Sequence, residues 1–326
     1  MTTRPTETTE TPLGAADPTP RHAPSGEQVV LRHGPHEAVV TEVGATLRAY
    51  TVGGLEVVQP YAADQIAPAS HGAVLAPWPN RLRDGAYTFD GTDHQVPVNE
   101  VGRMTALHGL VCWVRFEVSA RTTTDAEDAV ELTHRIVPTS GYPFDVLLTV
   151  RYALTDAGLT VTTTAANDGT QRAPYGVGFH PWLSTRGAAV DDCTLRLDAE
   201  TRVTTDDRLL PVGTEPVTGP YDHREASTLA GAVLDDAFVG VLRDADGLSW
   251  AELATLDGRT TRLWMDETFG SWQVCTGDFI NPPSIRRSAV AVEPQTCYAD
   301  AFRTGELLVV LEPGASHTSR WGLVLA

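Results

Sequence analysis

Two ionisable side chains stand where short apolar runs end. His180 closes the run Gly176-Val177-Gly178-Phe179 and is followed at once by Pro181 and Trp182. Glu293 closes the run Ala289-Val290-Ala291-Val292 and precedes Pro294. A carboxylate at the end of a buried strand is costly without partners. The same surroundings raise its pKa towards neutrality, which suits a general base. Gly178 lets the backbone bend or approach something closely. Pro181 biases His180 to an extended conformation and ends regular pairing there. Trp182 offers a flat apolar face with one N–H donor. An imidazole held beside an aromatic platform is what a sugar site needs. The same residues also suit a core histidine with both ring nitrogens satisfied, and Glu293 also suits a salt bridge to an arginine.

Other segments add groups that bind hydroxyls. Pro79-Asn80-Arg81 puts an amide beside a guanidinium fork, a pair able to hydrogen-bond adjacent hydroxyls. In Leu107-His108-Gly109 the glycine removes bulk beside the imidazole, so a ligand could approach. Asp236, in LDDAF, and Gln273, in SWQVCTGD, are further acceptors. Each has a plainer reading as a turn, loop or strand-end residue.

Several chemistries are excluded by residue type or spacing. The chain has no lysine, so Schiff-base chemistry and a P-loop lysine are out. No histidines stand at i,i+2 or i,i+4, and His33 and His36 lie in an exposed-looking turn, so no metal site is expected. GxSxG and GxGxxG are absent. A glycosidase needs two carboxylates flanking the bond, and Glu293 with Asp236 or Asp300 is the pair on offer. No cofactor is expected.

The elements that must position these groups read as strands. Runs at 29–33, 38–43 and 46–52 form a meander. Pairs follow at 112–120 with 129–136 and at 144–154 with 158–167, the latter joined by Thr155-Asp156-Ala157 with Gly158 placed for a hairpin. Seven further strands lie beyond residue 236. One short helix is expected, where Asp222 and Glu225 resemble a capping box ahead of ASTLAG. The fold class is all-β, an antiparallel sandwich. Residues 1–25, rich in Thr and Pro, read as a disordered leader, and 26–326 as one domain.

The net charge of −18 disfavours nucleic acid and anionic membranes as partners. Four widely spaced cysteines suggest free thiols in a reducing compartment. With no apolar run of about eighteen residues and no signal pattern, a cytoplasmic protein is expected, as a monomer or homodimer.

In order along the chain, PNRLRDGAYTFDG, LHGL, SGYPFDVLLTVRYAL, GFHPWL, LDDAF, SWQVCTGD and VEPQTCYADAF resemble the aldose 1-epimerase (galactose mutarotase) family. The resemblance runs from about residue 27 to the C-terminus. It implies a large antiparallel galactose mutarotase-like sandwich, a monosaccharide substrate and no cofactor. It also implies His180 and Glu293 as catalytic residues, with Asn80, Arg81, His108, Asp236 and Gln273 binding substrate. The implied reaction interconverts the anomers of a free aldose such as glucose or galactose. Glu293 would be the ionised base, and His180 the acid, held protonated by a nearby carboxylate. This chain departs from the family at Leu110, where a second glycine is common, and around His180, where Trp182 stands in for the usual aromatic platform. Those departures bear on which sugar is preferred. Alternatives are an epimerase of hexose 6-phosphates, a non-catalytic carbohydrate-binding module and, last, a glycoside hydrolase.

Overall fold

The computed structural model describes residues 23–326, and most of the expected leader lies outside the described residues. Its last residues are already attached to the domain. Ser25 is buried, and its carbonyl accepts the Val43 N–H at 3.0 Å.

Antiparallel strands dominate, as the alternation of Val, Leu and Thr dictates. Val146–Thr155 and Gly158–Asn167 alternate buried with half-buried residues over most of their length, and they pair through Thr155 and Gly158. Gly158 has φ +113°, a backbone that favours glycine. The expected meander is a four-stranded sheet. A nine-stranded and an eight-stranded sheet form the body. Phe179 of the second meets Trp321 of the first with ring centroids 5.1 Å apart, and one core cluster runs through both. The architecture is an antiparallel β-sandwich.

Several local expectations are corrected. The stretch after Asp222 is not helical. Asp222 is instead ion-paired to Arg224 at 2.7 Å, and Ser227–Thr228 forms a strand. The α-helix among the described residues is Ala301–Thr304. The strand read at 112–120 runs from Glu117 to Thr123. His36 is buried, its Nδ1 2.9 Å from the Tyr50 hydroxyl. Pro181 interrupts pairing without ending it, since Trp182–Ser184 pairs with the same neighbour as Gly178. Pro294 lies inside the strand Ala289–Gln295. Among the described residues no helix is long and apolar enough to cross a membrane.

Candidate active site

Four strand segments of the eight-stranded sheet lie side by side: Asp235–Val241, Ser271–Cys275, Ala289–Gln295 and Gly178–Phe179. Their register makes the site. Gln273 stands opposite Glu293. Gly178 pairs with Gln295 and Trp182 with Ala291, so the intervening His180 falls opposite Glu293. The neighbouring row runs Asp235, Cys275, Ala291, Trp182. Residues directly opposite share a face of the sheet. The alternate residues Phe179, Phe238, Trp272, Val274 and Val292 fill the core on the other face. Period-two patterning thus sends Phe179 inward and leaves Gly178 and His180 on the cavity side.

A cavity of about 180 Å³ opens on that face. Asn80, Arg81, His108, His180, Trp182, Gln273 and Glu293 all line it. Asp236 does not. Its side chain is ion-paired to Arg202 at 2.7 Å, and the cavity receives Asp235 instead. The period of two offers the reason, because Asp236 shares its face with the core residue Phe238.

His180 Nε2 lies 3.3 Å from Glu293 Oε1, and Glu293 Oε2 accepts the Gln295 amide at 2.9 Å. Both residues are buried. Burial pushes the Glu293 carboxyl well above its usual range; the Gln295 donor opposes this, Asp235 reinforces it and Arg81 opposes it. Burial also pushes His180 well below its usual range, with His108 and His71 adding to the effect. The expectation of an ionised Glu293 beside a protonated His180 therefore meets a different balance. Desolvation penalises both charged forms, so it pushes the carboxyl up and the imidazole down together. His180 Nδ1 is buried without a partner among the described residues.

A polar chain surrounds this pair. The Arg81 guanidinium donates to both Glu100 oxygens, at 2.8 and 3.1 Å. Asn80 Oδ1 accepts the Arg81 backbone N–H at 2.8 Å, and Asn80 Nδ2 donates to Gln273 at 3.2 Å. Gln273 Nε2 donates to Asp235 at 2.8 Å. Although burial opposes it, hydrogen bonds from Arg81 and Thr105 hold Glu100 below its usual range. Such a network is rigid before a ligand arrives.

His108 sits edge-on to His180, ring centroids 5.4 Å apart. Burial, with help from the Arg81 charge, lowers its pKa to about 3. Gly109 is explained by protein rather than ligand, since a Cβ there would meet the Ala76 carbonyl at 2.1 Å. Gly178 is also crowded by the chain itself. A Cβ there would come within 2.8 Å of Pro79 Cβ and 3.0 Å of Gln295 Cγ. Trp182 stacks along His180 at 5.6 Å and along His71 at 4.8 Å. Its Nε1 donates to Ala69 at 3.2 Å, so it holds the histidine as well as lining the cavity. Asp235, Cys275, Glu100, Gln295 and His71 were missed in the sequence. Alternation within LDDAF and SWQVC pointed to the first two; nothing local marked the others.

The sequence matches the Aldose 1-epimerase family over residues 27–323. It is 33% identical over 297 residues to the uncharacterized protein YihR of Escherichia coli K12, covering 90% of this chain and 91% of that protein. Among solved structures, a galactose mutarotase-like protein from Clostridium acetobutylicum superposes with a TM-score of 0.81 at 17% identity, covering 92% of this chain and 95% of the other. A galactose 1-epimerase from Lactobacillus acidophilus does so with a TM-score of 0.79 at 18% identity, covering 92% and 94%. These structures share the fold, and the sequence matches carry the assignment: the chain belongs to the aldose 1-epimerase family.

Proposed function

We propose that this chain interconverts the α and β anomers of a free aldohexose such as glucose or galactose, with Glu293 as base and His180 as acid. The observation that carries this reading is the 3.3 Å approach of His180 to Glu293 inside a cavity lined by amide, guanidinium and carboxylate groups. Glu293 takes the proton of the C1 hydroxyl. The C1–O5 bond breaks with its electron pair on O5, and His180 protonates that oxygen. The aldehyde turns about C1–C2. O5 then attacks the other face of C1, returning its proton to His180, while Glu293 returns the other to O1. Nothing is consumed.

The pair carries the same total charge whichever member holds the proton. Sugar hydroxyls that hydrogen-bond the carboxylate and the imidazolium therefore move a proton across the site without taking one from solvent. Gln295 and Arg81 already favour the carboxylate form. Each group would need to come within roughly 2.6–3.2 Å of its oxygen in the bound complex. Asn80, Arg81, His108, Asp235 and Gln273 hold the hydroxyls, and Trp182 and His71 fix the imidazole.

The hexose 6-phosphate reading ranks lower. Arg81, Arg103 and Arg202 stand near the site, yet each is already ion-paired to a carboxylate. A binding module needs no acid–base pair. Polarimetry of freshly dissolved α-D-glucose and α-D-galactose decides the matter. Faster approach to an unchanged final rotation is expected. Binding of either sugar without acceleration would favour the binding module or another aldose as substrate.

A further inference from the structure

Gln295 stands two residues beyond Glu293 on the strand Ala289–Gln295, so both side chains leave the same face of the sheet. It is fully buried and forms no part of the catalytic cavity's wall. Its Nε2 donates to Glu293 Oε2 at 2.9 Å. The other carboxylate oxygen, Oε1, is the one 3.3 Å from His180 Nε2. The two oxygens of one carboxylate therefore have different partners.

A purely structural role does not account for this amide. The bond to Glu293 is the one hydrogen bond its side chain makes among the described residues, and Gln295 Oε1 is buried without a partner there. Burying half an amide unsatisfied costs stability. An apolar side chain of the same length would fill the space without that cost. What the amide alone supplies is an N–H aimed at the carboxylate. The neighbouring strand makes room for it. Gly178 pairs with Gln295, and a Cβ on Gly178 would lie 3.0 Å from Gln295 Cγ. The missing side chain leaves the lane along which the glutamine reaches Glu293. The Gln295 main chain is fixed too, its carbonyl accepting the Gly270 N–H at 3.1 Å. The charged and titratable groups facing Glu293 from other segments are His180, Asp235, Arg81 and Cys275. Gln295 alone among the described residues donates to Oε2.

We propose that Gln295 is a positioning residue: it ties down Oε2 of the ionised Glu293 and leaves Oε1 as the oxygen that takes the C1 hydroxyl proton. The amide touches no sugar. It selects one rotamer and one charge state of the carboxylate. This rests on the reading of Glu293 as base, and the test separates the two.

Polarimetry across pH and thermal unfolding would be run on the wild type, Gln295→Met, Gln295→Glu and Glu293→Gln. Infrared titration would follow the protonated-carboxyl band that Glu293→Gln removes. Gln295→Met keeps length and volume but has no donor. It should lower kcat roughly 10- to 100-fold, the contribution of a hydrogen bond to a charged group, and leave KM nearly unchanged. Without the donor the carboxyl keeps its proton to higher pH, so its band should persist further into alkali than in the wild type. Gln295→Glu can donate to Oε2 only while the new carboxyl is protonated. Its turnover relative to the wild type should be highest in acid and fall as pH rises. The positioning role is overturned if Gln295→Met turns over like the wild type, or raises KM and leaves kcat alone. It is overturned too if the band titrates at the same pH in both proteins, or if the relative turnover of Gln295→Glu is flat with pH. Should Gln295→Met fail to fold, that last ratio carries the test. Inactive Glu293→Gln beside an unaffected Gln295→Met removes the positioning role and keeps Glu293 as base. Near-normal turnover by Glu293→Gln removes the base, and the positioning role with it.

Discussion

Asp235 and Asp236 are consecutive residues of one strand, yet they serve different surroundings. Asp235 accepts the Gln273 amide at 2.8 Å beside His180 and Glu293, while Asp236 is held at 2.7 Å by Arg202. Asp235→Ala removes a charged acceptor from the cavity and should raise KM for glucose by about tenfold or more. Asp236→Ala should change KM by less than about twofold and cost about 1–2 kcal/mol of stability, because it strips Arg202 of a partner. Steady-state polarimetry with thermal unfolding of both variants checks this. A larger KM effect from Asp236→Ala would reverse the assignment.

Glu293→Gln keeps the shape and hydrogen-bonding reach of the side chain but cannot take a proton. A loss of roughly 10²–10⁴-fold in kcat is expected, as for other general bases, with glucose still bound. Near-normal turnover would exclude Glu293 as base.

The wild-type pH–rate profile follows from the shared proton. The pair gains a second proton as pH falls through the lowered pKa of His180, and loses its only one as pH rises through the raised pKa of Glu293. The acid limb is expected below the ordinary histidine value and the alkaline limb above the ordinary carboxylate value. An acid limb centred on the ordinary histidine value would contradict this account.

Acid sensitivity of the fold has a definite sign. His108 is lowered to about 3 and His71 to about 4, both by burial and both from 6.5. As pH falls below 6.5 the unfolded chain takes up protons that the folded chain refuses, so stability is lost progressively towards those values. Each group contributes at most about 1.4 kcal/mol per pH unit in that window. His108→Asn suits the local backbone, φ +64°, since asparagine tolerates the left-handed region. Urea unfolding between neutral and mildly acidic pH should show a shallower loss for this variant. An unchanged slope would mean that His108 does not titrate differently on folding.

Gly178→Ala places a methyl group 2.8 Å from Pro79 Cβ and 3.0 Å from Gln295 Cγ. It should destabilise the fold by about 1–3 kcal/mol and lower kcat by disturbing the donor to Glu293. Gly102→Ala, with nothing within 4 Å of the added atom, is the control and should stay within about 0.5 kcal/mol. Equal behaviour of the two would mean that the crowding at Gly178 relaxes freely.

Antiparallel strands, the placing of His180 and Glu293 at the ends of apolar runs, and the grouping of Asn80, Arg81, His108 and Gln273 as candidates were legible from residue types alone. Strand alternation, turn residues and ordered motifs are local signals, and they survive folding because each depends on only a few neighbouring residues. The order of the motifs also carried the family. The helix expected after Asp222 failed because its aspartate binds Arg224 and the following residues pair into a sheet; tertiary pairing overrode a short local signal.

Tertiary structure alone decided the rest. Which of two adjacent aspartates faces the cavity depends on which side of the sheet is the core. That Glu100 grips Arg81, and that the Ala76 carbonyl fills the space beside Gly109, follows from contacts between distant segments. The balance of protons between His180 and Glu293 is a property of burial, and burial is created only when the two strands and their neighbours close over the pair.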